Sequence, residues 1–246
     1  MTPMFWIFWL VGLLVSTWLG AFIVKKLRVS GLFILGTMLA IYVVGANVLV
    51  PRLIELNIFG LSFIVVTGAM IWPFTAQLTD MINEIYGRKA AYLAAFMAYV
   101  SNIMLVLFLQ MSFQTPTIGD PAGEVWFRSF FGVAGRVLIA SMCSYTVANW
   151  ADITIFSKIK EAFRNMEDNP LNILLFSSVR SAVSDGLNMV IDSAIFYTIA
   201  FIGTMPTEAL LGLIGSSMLA KVIISQIDLP FYWLFRMMTR GVERSV

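Results

Sequence analysis

Seven long apolar runs divide the chain, and short, more polar segments separate them. Crossing the hydrocarbon core of a bilayer takes about 20 residues of α-helix, and each run reaches that length. We therefore predict an all-α fold, a polytopic membrane helix bundle in which residues 1–246 form a single integral membrane domain. The predicted spans are 4–24, 31–50, 61–84, 90–111, 130–156, 174–203 and 207–236.

Four of these spans carry polar residues at the three- and four-residue spacing that places side chains on one face of a helix. The stripes are Pro73, Gln77, Asp80 and Glu84; Ser141, Tyr145, Asn149 and Asp152; Ser177, Ser181, Ser184, Asp185, Asn188 and Asp192; and Ser217, Lys221, Ser225 and Asp228. Such faces escape lipid only by turning toward one another. The pattern predicts either a central polar cavity or a dense ion-pair core, with Asn47 as an isolated polar residue elsewhere.

The charged candidates lie at different depths in the membrane. Their depths follow from their positions in each span, because each residue advances a helix by about 1.5 Å. Lys221 lies near mid-membrane and Asp192 lies somewhat nearer the outer side, so both are interpreted as functional. Arg180 lies toward the inner side, where Asp152 or Asp80 is a suitable partner, and such a pair is interpreted as structural.

Two further charged candidates follow from depth. Arg136 lies at a level close to Asp192, although on an ideal helix it points away from the stripe that contains Asn149. Glu84 lies near the cytoplasmic rim, where partial hydration lowers the cost of a charge.

Basic residues follow alternate spans, and this asymmetry predicts the orientation. Eleven Lys and Arg follow the first, third, fifth and seventh spans, whereas the other loops carry only Arg52 and Arg128. The eleven are Lys25, Lys26, Arg28, Arg88, Lys89, Lys158, Lys160, Arg164, Arg236, Arg240 and Arg244. The positive-inside rule places the N-terminus outside and the C-terminus in the cytoplasm. Because its basic residues come after the apolar run, the first span is predicted to be a retained helix.

Composition narrows the chemistry. The chain is 59% hydrophobic and 12% charged, which excludes a soluble domain of this size. It has no histidine, which excludes His-based zinc sites and Ser-His hydrolase chemistry, and no catalytic motif accompanies its carboxylates. We therefore expect no enzyme activity, no cofactor and no metal, and we interpret Cys143 as a packing residue.

Four local features complete the prediction. Loop 112–128 is expected to be a turn-rich outer cap, and residues 158–171 are expected to extend the fifth helix to about Asn169. The Trp72-Pro73 step predicts a kink, with or without a functional role. The stripe Ala90, Ala94 and Ala98 predicts close helix packing, either inside the bundle or against another membrane protein.

Several segments together resemble the queuosine precursor transporter family, also called the vitamin uptake transporter family. They are WPFTAQLTDMINEIYGRKAA at 72–91, GRVLIASMCSYTVANWADITIFSKIK at 135–160, NMVIDSAIFYTIAF at 188–201 and AKVIISQIDLPFYW at 220–233. The sequence departs from the family pattern at Asn149, where Gln is expected, and at Asp228, where a small uncharged residue is commoner. The first span is extra relative to a six-helix family core.

The resemblance implies import of 7-deazaguanine precursors of queuosine, namely 7-cyano-7-deazaguanine and 7-aminomethyl-7-deazaguanine, across a bacterial or archaeal cytoplasmic membrane. A guanine-like base carries two N–H donors on one edge, and one ionised carboxylate, such as Asp192 or Asp80, can accept both hydrogen bonds. Lys221, Arg136 or a side-chain amide would donate to the carbonyl oxygen, and aromatic rings would sandwich the base. The candidate substrate-binding residues are Asn47, Phe74, Asp80, Glu84, Arg136, Asn149, Asp152, Asn188, Asp192 and Lys221, with Tyr145, Trp150 and Phe196 as further candidate rings.

The expected partners are a small purine-like substrate and the lipid bilayer, with no nucleic acid. A homo-oligomer remains open. The alternative is that the chain is the substrate-binding membrane subunit of a multi-protein importer. Uptake by the purified chain alone in proteoliposomes would exclude that alternative.

Overall fold

The computed structural model describes residues 3–58, 60–118, 120–132, 134–163 and 170–242. Helices dominate this part of the chain, with one hairpin of strands β1 (Leu53–Ile58) and β2 (Leu61–Val66), followed by a short 3₁₀ turn at Thr67–Met70. The helices are α1 Pro3–Leu27, α2 Val29–Val48, α3 Trp72–Tyr86, α4 Arg88–Gln114, α5 Pro121–Gly132, α6 Ala134–Phe163, α7 Pro170–Phe201 and α8 Thr207–Met238.

Several helices are long enough to cross a bilayer. Within the described residues, four are both long and apolar enough by length and composition: Met4–Leu27, Val29–Val48, Arg88–Gln114 and Thr207–Met238. Helices α6 and α7, with 30 and 32 residues, also exceed the length required, but they carry many of the polar stripe residues. The chain is a multi-pass helical membrane protein, as predicted, whereas the number of spans and their orientation stay predictions.

The prediction of one helix over 61–84 is wrong. Its first part forms β2 and the 3₁₀ turn, and α3 begins only at Trp72. The sequence explains the change, because Ile64, Val65 and Val66 are β-branched and favour a strand, while Gly60 adopts a φ of 83° between the strands. Pro73 lies in the first turn of α3, where its missing N–H costs nothing, so it starts a helix rather than kinking one.

The hairpin packs against α8 through its backbone. The N–H of Ile64 donates to the Ser216 hydroxyl at 2.9 Å, and that hydroxyl lies 3.3 Å from the Ile64 carbonyl oxygen. Ser216 lies about 14 Å along α8 from its first residue. Polar backbone at that depth is tolerated because protein groups satisfy it.

Two loop predictions are resolved in part. The outer loop 112–128 is not wholly irregular, because α5 begins at Pro121 and its first turn is capped by the Asp120 carboxylate, which accepts from the Ala122 N–H at 3.2 Å. The fifth predicted span does continue as a helix beyond 156, to Phe163. Its expected end near Asn169 lies outside the described residues, as do Arg164 and Arg244.

The alanine stripe of α4 is used inside the bundle. Ala90, Ala94 and Ala98 are all buried. A Cβ placed on Gly36 of α2 would lie 3.7 Å from the Cβ of Ala94, so the two helices approach closely where small residues meet. The internal-packing interpretation of the stripe is confirmed.

Candidate functional site

The four polar stripes converge, as the sequence predicted. Side chains from α3, α6, α7 and α8 form a buried polar interior in a protein whose outer surface is largely apolar. The buried members are Gln77, Asp80 and Glu84; Ser141, Asn149 and Asp152; Ser177, Arg180, Ser181, Ser184, Asp185, Asn188 and Asp192; and Ser217, Lys221, Ser225 and Asp228. Apart from Asp228, which accepts a hydrogen bond from Gln77, their charged residues form three distinct groups.

The first group surrounds Glu84. Its carboxylate contacts Arg180 at 2.6 Å, Lys160 at 3.0 Å and Arg236 at 2.5 Å. Arg180 is fully buried, its guanidinium stacks 4.9 Å from the centre of the Phe156 ring, and it donates to the Tyr232 hydroxyl at 3.1 Å. The Glu84 carboxylate therefore links α3 to α6, α7 and α8, because each of these three helices supplies one of its basic partners.

This group corrects the predicted pairing of Arg180 with Asp152 or Asp80. The ion pair that the structure forms is with Glu84, one helical turn after Asp80 on the same face of α3. Glu84 is also buried, with 5% of its surface exposed, rather than partly hydrated as expected.

The second group is an acidic cluster of Asp80, Asp152 and Asp185, from α3, α6 and α7. One carboxylate oxygen from each residue lies within 4.8 Å of the others. The Ser181 hydroxyl lies 2.7 Å from Asp80 and 2.8 Å from Asp185. Four carboxylate oxygens of this cluster have no hydrogen-bond partner among the described residues, including both oxygens of Asp152.

The third group is the ion pair between Asp192 on α7 and Lys221 on α8. The Lys221 Nζ lies 2.7 Å from Asp192 Oδ2, and both side chains are at least 98% buried. The same nitrogen lies 5.4 Å from the centre of the Trp72 ring and 5.7 Å from that of Tyr197, within cation–π range.

Further buried polar atoms lie on the same stretch of α7 as Asp192 of this deep pair. Asp192 Oδ1, the Ser193 hydroxyl and the Tyr197 hydroxyl are buried and have no hydrogen-bond partner in the described part of the chain. One turn earlier on α7, Asn188 Oδ1 is also buried and has no hydrogen-bond partner among the described residues. Unpaired acceptors and hydroxyls are costly inside a bilayer, so a group with this many of them is suited to receive a polar ligand.

Other candidate residues lie away from the deep pair. The Arg136 guanidinium donates to the carbonyls of Ile199, at 2.8 Å, and Ile202, so it caps the end of α7 and does not contact Asp192. Asn47 donates to Asn102 at 3.0 Å and joins α2 to α4. Phe74 makes edge-to-face contacts with the rings of Trp9 and Tyr42.

A cavity of about 260 Å³ lies between α4 and α6 and contains three of the predicted candidates, Tyr145, Asn149 and Trp150. Tyr92, Phe96 and Tyr99 supply further rings. Trp150 is 63% exposed and Asn149 is buried, so the lining of the cavity includes both surface and interior side chains of α6. Phe196 lies apart from it, edge-on to Tyr197.

Some residues of the polar interior were not singled out by sequence reasoning. Trp72 was considered only as part of a kink, and Tyr197 was not considered, although both rings flank Lys221. Gln77 was predicted as a member of its stripe but not as a bridge, and it joins helices by donating to Asp228 at 3.0 Å and to Thr17 of α1 at 2.9 Å. The available signal for Tyr197 was its position four residues after Ser193, on the face next to Asp192.

Comparison with known proteins identifies the family. A family model described as "Putative vitamin uptake transporter" matches residues 66–235, which include α3, α6, α7 and nearly all of α8. A protein of Bacillus subtilis (strain 168) named "Probable queuosine precursor transporter" is 26% identical over 200 residues, or 81% of this chain and 82% of that protein. No solved structure matches. The family consists of transporters rather than enzymes, and this chain belongs to the vitamin uptake transporter family.

Proposed function

We propose that the protein imports 7-deazaguanine precursors of queuosine into the cytoplasm of a bacterium or archaeon. The observation that carries the proposal is the deep Asp192–Lys221 pair, which shares helix α7 with further buried polar atoms that have no hydrogen-bond partner among the described residues. The name of the Bacillus subtilis relative supports the class of substrate.

The chemistry of the deep pair suits a guanine-like edge. Asp192 uses Oδ2 for Lys221 and keeps Oδ1 available, so the carboxylate can accept the adjacent N–H groups of the base as the lysine shifts toward the carbonyl oxygen of the base. The rings of Trp72 and Tyr197 both lie within cation–π range of the lysine and are the candidate stacking partners of the base. A hydrogen-bonding site of this kind rejects analogues that lack the matching groups, such as adenine.

The 7-aminomethyl precursor carries an additional cationic amino group, and the polar interior contains an acceptor for it. Asn188 lies one turn from Asp192 on α7, and its carbonyl oxygen has no hydrogen-bond partner among the described residues. The nitrile of 7-cyano-7-deazaguanine is neutral and needs only a donor, such as the Ser193 or Tyr197 hydroxyl. On this proposal one site takes both precursors.

The test is Asp192→Asn, which keeps the shape of the side chain and removes its charge. We expect precursor uptake to be lost while the protein still inserts in the membrane. The measurement is tRNA queuosine content in cells that cannot make the precursor and are fed it at limiting concentration. Asp120→Asn, in an exposed loop, is the matched control and should leave queuosine content unchanged. Normal queuosine in the Asp192 variant would remove this residue from the site.

A further inference from the structure

We propose that the groove between α4 and α6 binds one anionic phospholipid, with its headgroup at the basic end of the groove and an acyl chain among aromatic rings deeper in the membrane. In the described part of the chain, cavities of about 260 Å³ each lie at two levels of this groove. The ring cavity is the one described above that contains Tyr145, Asn149 and Trp150. The basic cavity lies at the junction of α3, α4 and α6, and its charged lining residues are Arg88, Lys158, Lys160 and Glu161.

The basic cavity carries positive charge that the protein does not neutralise. The side chains of Arg88 and Lys158 are exposed, and neither has a hydrogen-bond or ion-pair partner among the residues that the structure describes. Lys160 is already paired with Glu84, at 3.0 Å. Glu161, the acidic residue in the lining, contacts no basic nitrogen within 4.0 Å in the described residues. Two cations are therefore available to an anionic ligand.

The backbone at this end of the groove favours an anion as well. Gly87 lines the basic cavity and immediately precedes α4, and no side chain caps the start of that helix. The first N–H groups of a helix and the positive end of its dipole attract phosphate. This contribution adds to that of Arg88 and Lys158, on which the proposal depends.

The basic cavity lies at the level of the lipid headgroups. The candidate membrane span of α4 begins at Arg88, so this residue marks the end of the apolar stretch. Basic pockets between membrane-spanning helices at this level bind the phosphate-containing headgroups of anionic lipids. The phosphate oxygens would accept charge-assisted hydrogen bonds from Arg88 and Lys158.

The ring cavity opens to the acyl chains. Phe96 and Trp150, which both line it, are 61% and 63% exposed on the outer surface of the bundle. Ala95 and Ile153 add further apolar surface to the lining. An acyl chain that enters this cavity fills it with methylene groups and packs against the rings.

The two cavities are spaced as the two parts of one lipid. Phe96 follows Arg88 by eight residues on α4, and Trp150 precedes Lys158 by eight on α6, so on each helix the ring lies about 12 Å deeper than the basic residue. One leaflet supplies about 15 Å of the hydrocarbon core, so that depth is within its acyl-chain region. A soluble anion would occupy the basic cavity alone.

The experiment is quenching of tryptophan fluorescence by phospholipids with brominated acyl chains, with the full chain reconstituted in neutral phosphatidylcholine vesicles. We expect brominated phosphatidylglycerol, which is anionic, to quench more than brominated phosphatidylcholine with the same chains, and we expect this excess quenching to saturate. Trp150→Phe should remove the excess quenching. Trp18→Phe, on the exposed surface of α1, should keep it.

The double variant Arg88→Gln with Lys158→Gln tests the basic cavity. The amount of anionic lipid that gives half of the excess quenching should rise by about 30-fold, because two basic residues that attract the headgroup are removed. The matched control is Lys25→Gln with Lys26→Gln, which removes the same charge from the exposed end of α1 and should change nothing. Arg88→Lys with Lys158→Arg keeps both charges and should retain the affinity.

Three outcomes would overturn the proposal. Equal quenching by the two brominated lipids would show contact without a preference for the headgroup. Equal weakening in the two double glutamine variants would show attraction to net charge alone. Excess quenching that survives Trp150→Phe would remove the acyl chain from the ring cavity. No deazaguanine is added, so each outcome is independent of the proposed transport function.

Discussion

At the scale of single residues, the interior holds buried charge in three different ways. Glu84 is surrounded by three basic side chains, Asp192 has a single lysine, and the acidic cluster has no basic side chain within ion-pair distance among the described residues. A buried carboxylate that basic side chains neutralise, such as Glu84, typically holds helices together, because removing any member of the group leaves an uncompensated charge. In the deep pair one carboxylate oxygen has no hydrogen-bond partner in the described part of the chain, so this group is best suited to exchange a partner for a ligand.

A pair of variants separates structure from transport at the Asp192–Lys221 pair. Either Asp192→Asn or Lys221→Met alone leaves a buried charge unpaired and should lower the free energy of unfolding by about 3–5 kcal/mol. The double variant removes both charges and should recover most of that loss. The measurement is denaturant unfolding of each purified variant in detergent.

Uptake by the same double variant then tests the role of the deep pair. If the pair binds the precursor, transport stays absent although stability returns, because Asn and Met cannot reproduce the two charges. The tRNA queuosine content of cells that carry the double variant is the readout. Recovery of uptake together with stability would show that the pair serves the fold alone.

At the scale of elements, the apolar runs predicted the long helices because both their spacing of polar residues and their length fit an α-helix. The hairpin could not be predicted in the same way, since a short, continuous apolar run fits a buried strand and a helix segment equally well. Its residues read LSFIVV, and the run continues without a polar break into the segment that precedes α3. Pairing with β1 and packing against α8 hold this part in the extended form.

The site was predictable to a similar degree. The three- and four-residue spacing placed the polar stripes on helix faces, and the structure brings those faces together. The individual partners were not predictable, because they depend on how each helix is rotated and shifted along its axis. A shift of one turn exchanges Asp80 for Glu84 opposite Arg180, and it is Glu84 that the ion pair contains.

Gly68 tests the packing of the 3₁₀ turn, which follows the hairpin, against α2. A Cβ at this position would lie 2.2 Å from the backbone carbonyl oxygen of Ala46, and backbone cannot move aside as a flexible side chain can. Gly68→Ala should therefore destabilise the protein by about 1–3 kcal/mol through overpacking. Gly212→Ala in α8 is the control, because nothing lies within 4 Å of its added carbon. Thermal unfolding in detergent compares the two, and equal midpoints would contradict the close contact at Gly68.

At the scale of the whole molecule, an apolar exterior surrounds a polar interior, which is the arrangement that a bilayer requires of a protein that handles a polar solute. Basic residues are confined largely to one end of the helices. Arg88, Lys158 and Lys160 line a second cavity of about 260 Å³ at the junction of α3, α4 and α6. This is the end that the charge asymmetry assigns to the cytoplasm.

Cysteine labelling tests that orientation. Cys143 is exposed, so it is first replaced by Ser, and single cysteines are then placed at Asp120, before α5, and at Lys158, on the inner half of α6. If the N-terminus lies outside, a membrane-impermeant maleimide should label Asp120→Cys in intact cells, because this position follows an even number of predicted spans and faces outward. Lys158→Cys should react only after the membrane is permeabilised, since the positive-inside rule retains its loop in the cytoplasm. The cysteine-free parent controls for background labelling. The reverse labelling pattern would show the opposite orientation in the membrane. The hairpin and the end of the bundle nearer the deep pair would then face the cytoplasm, from which a precursor would be exported rather than imported.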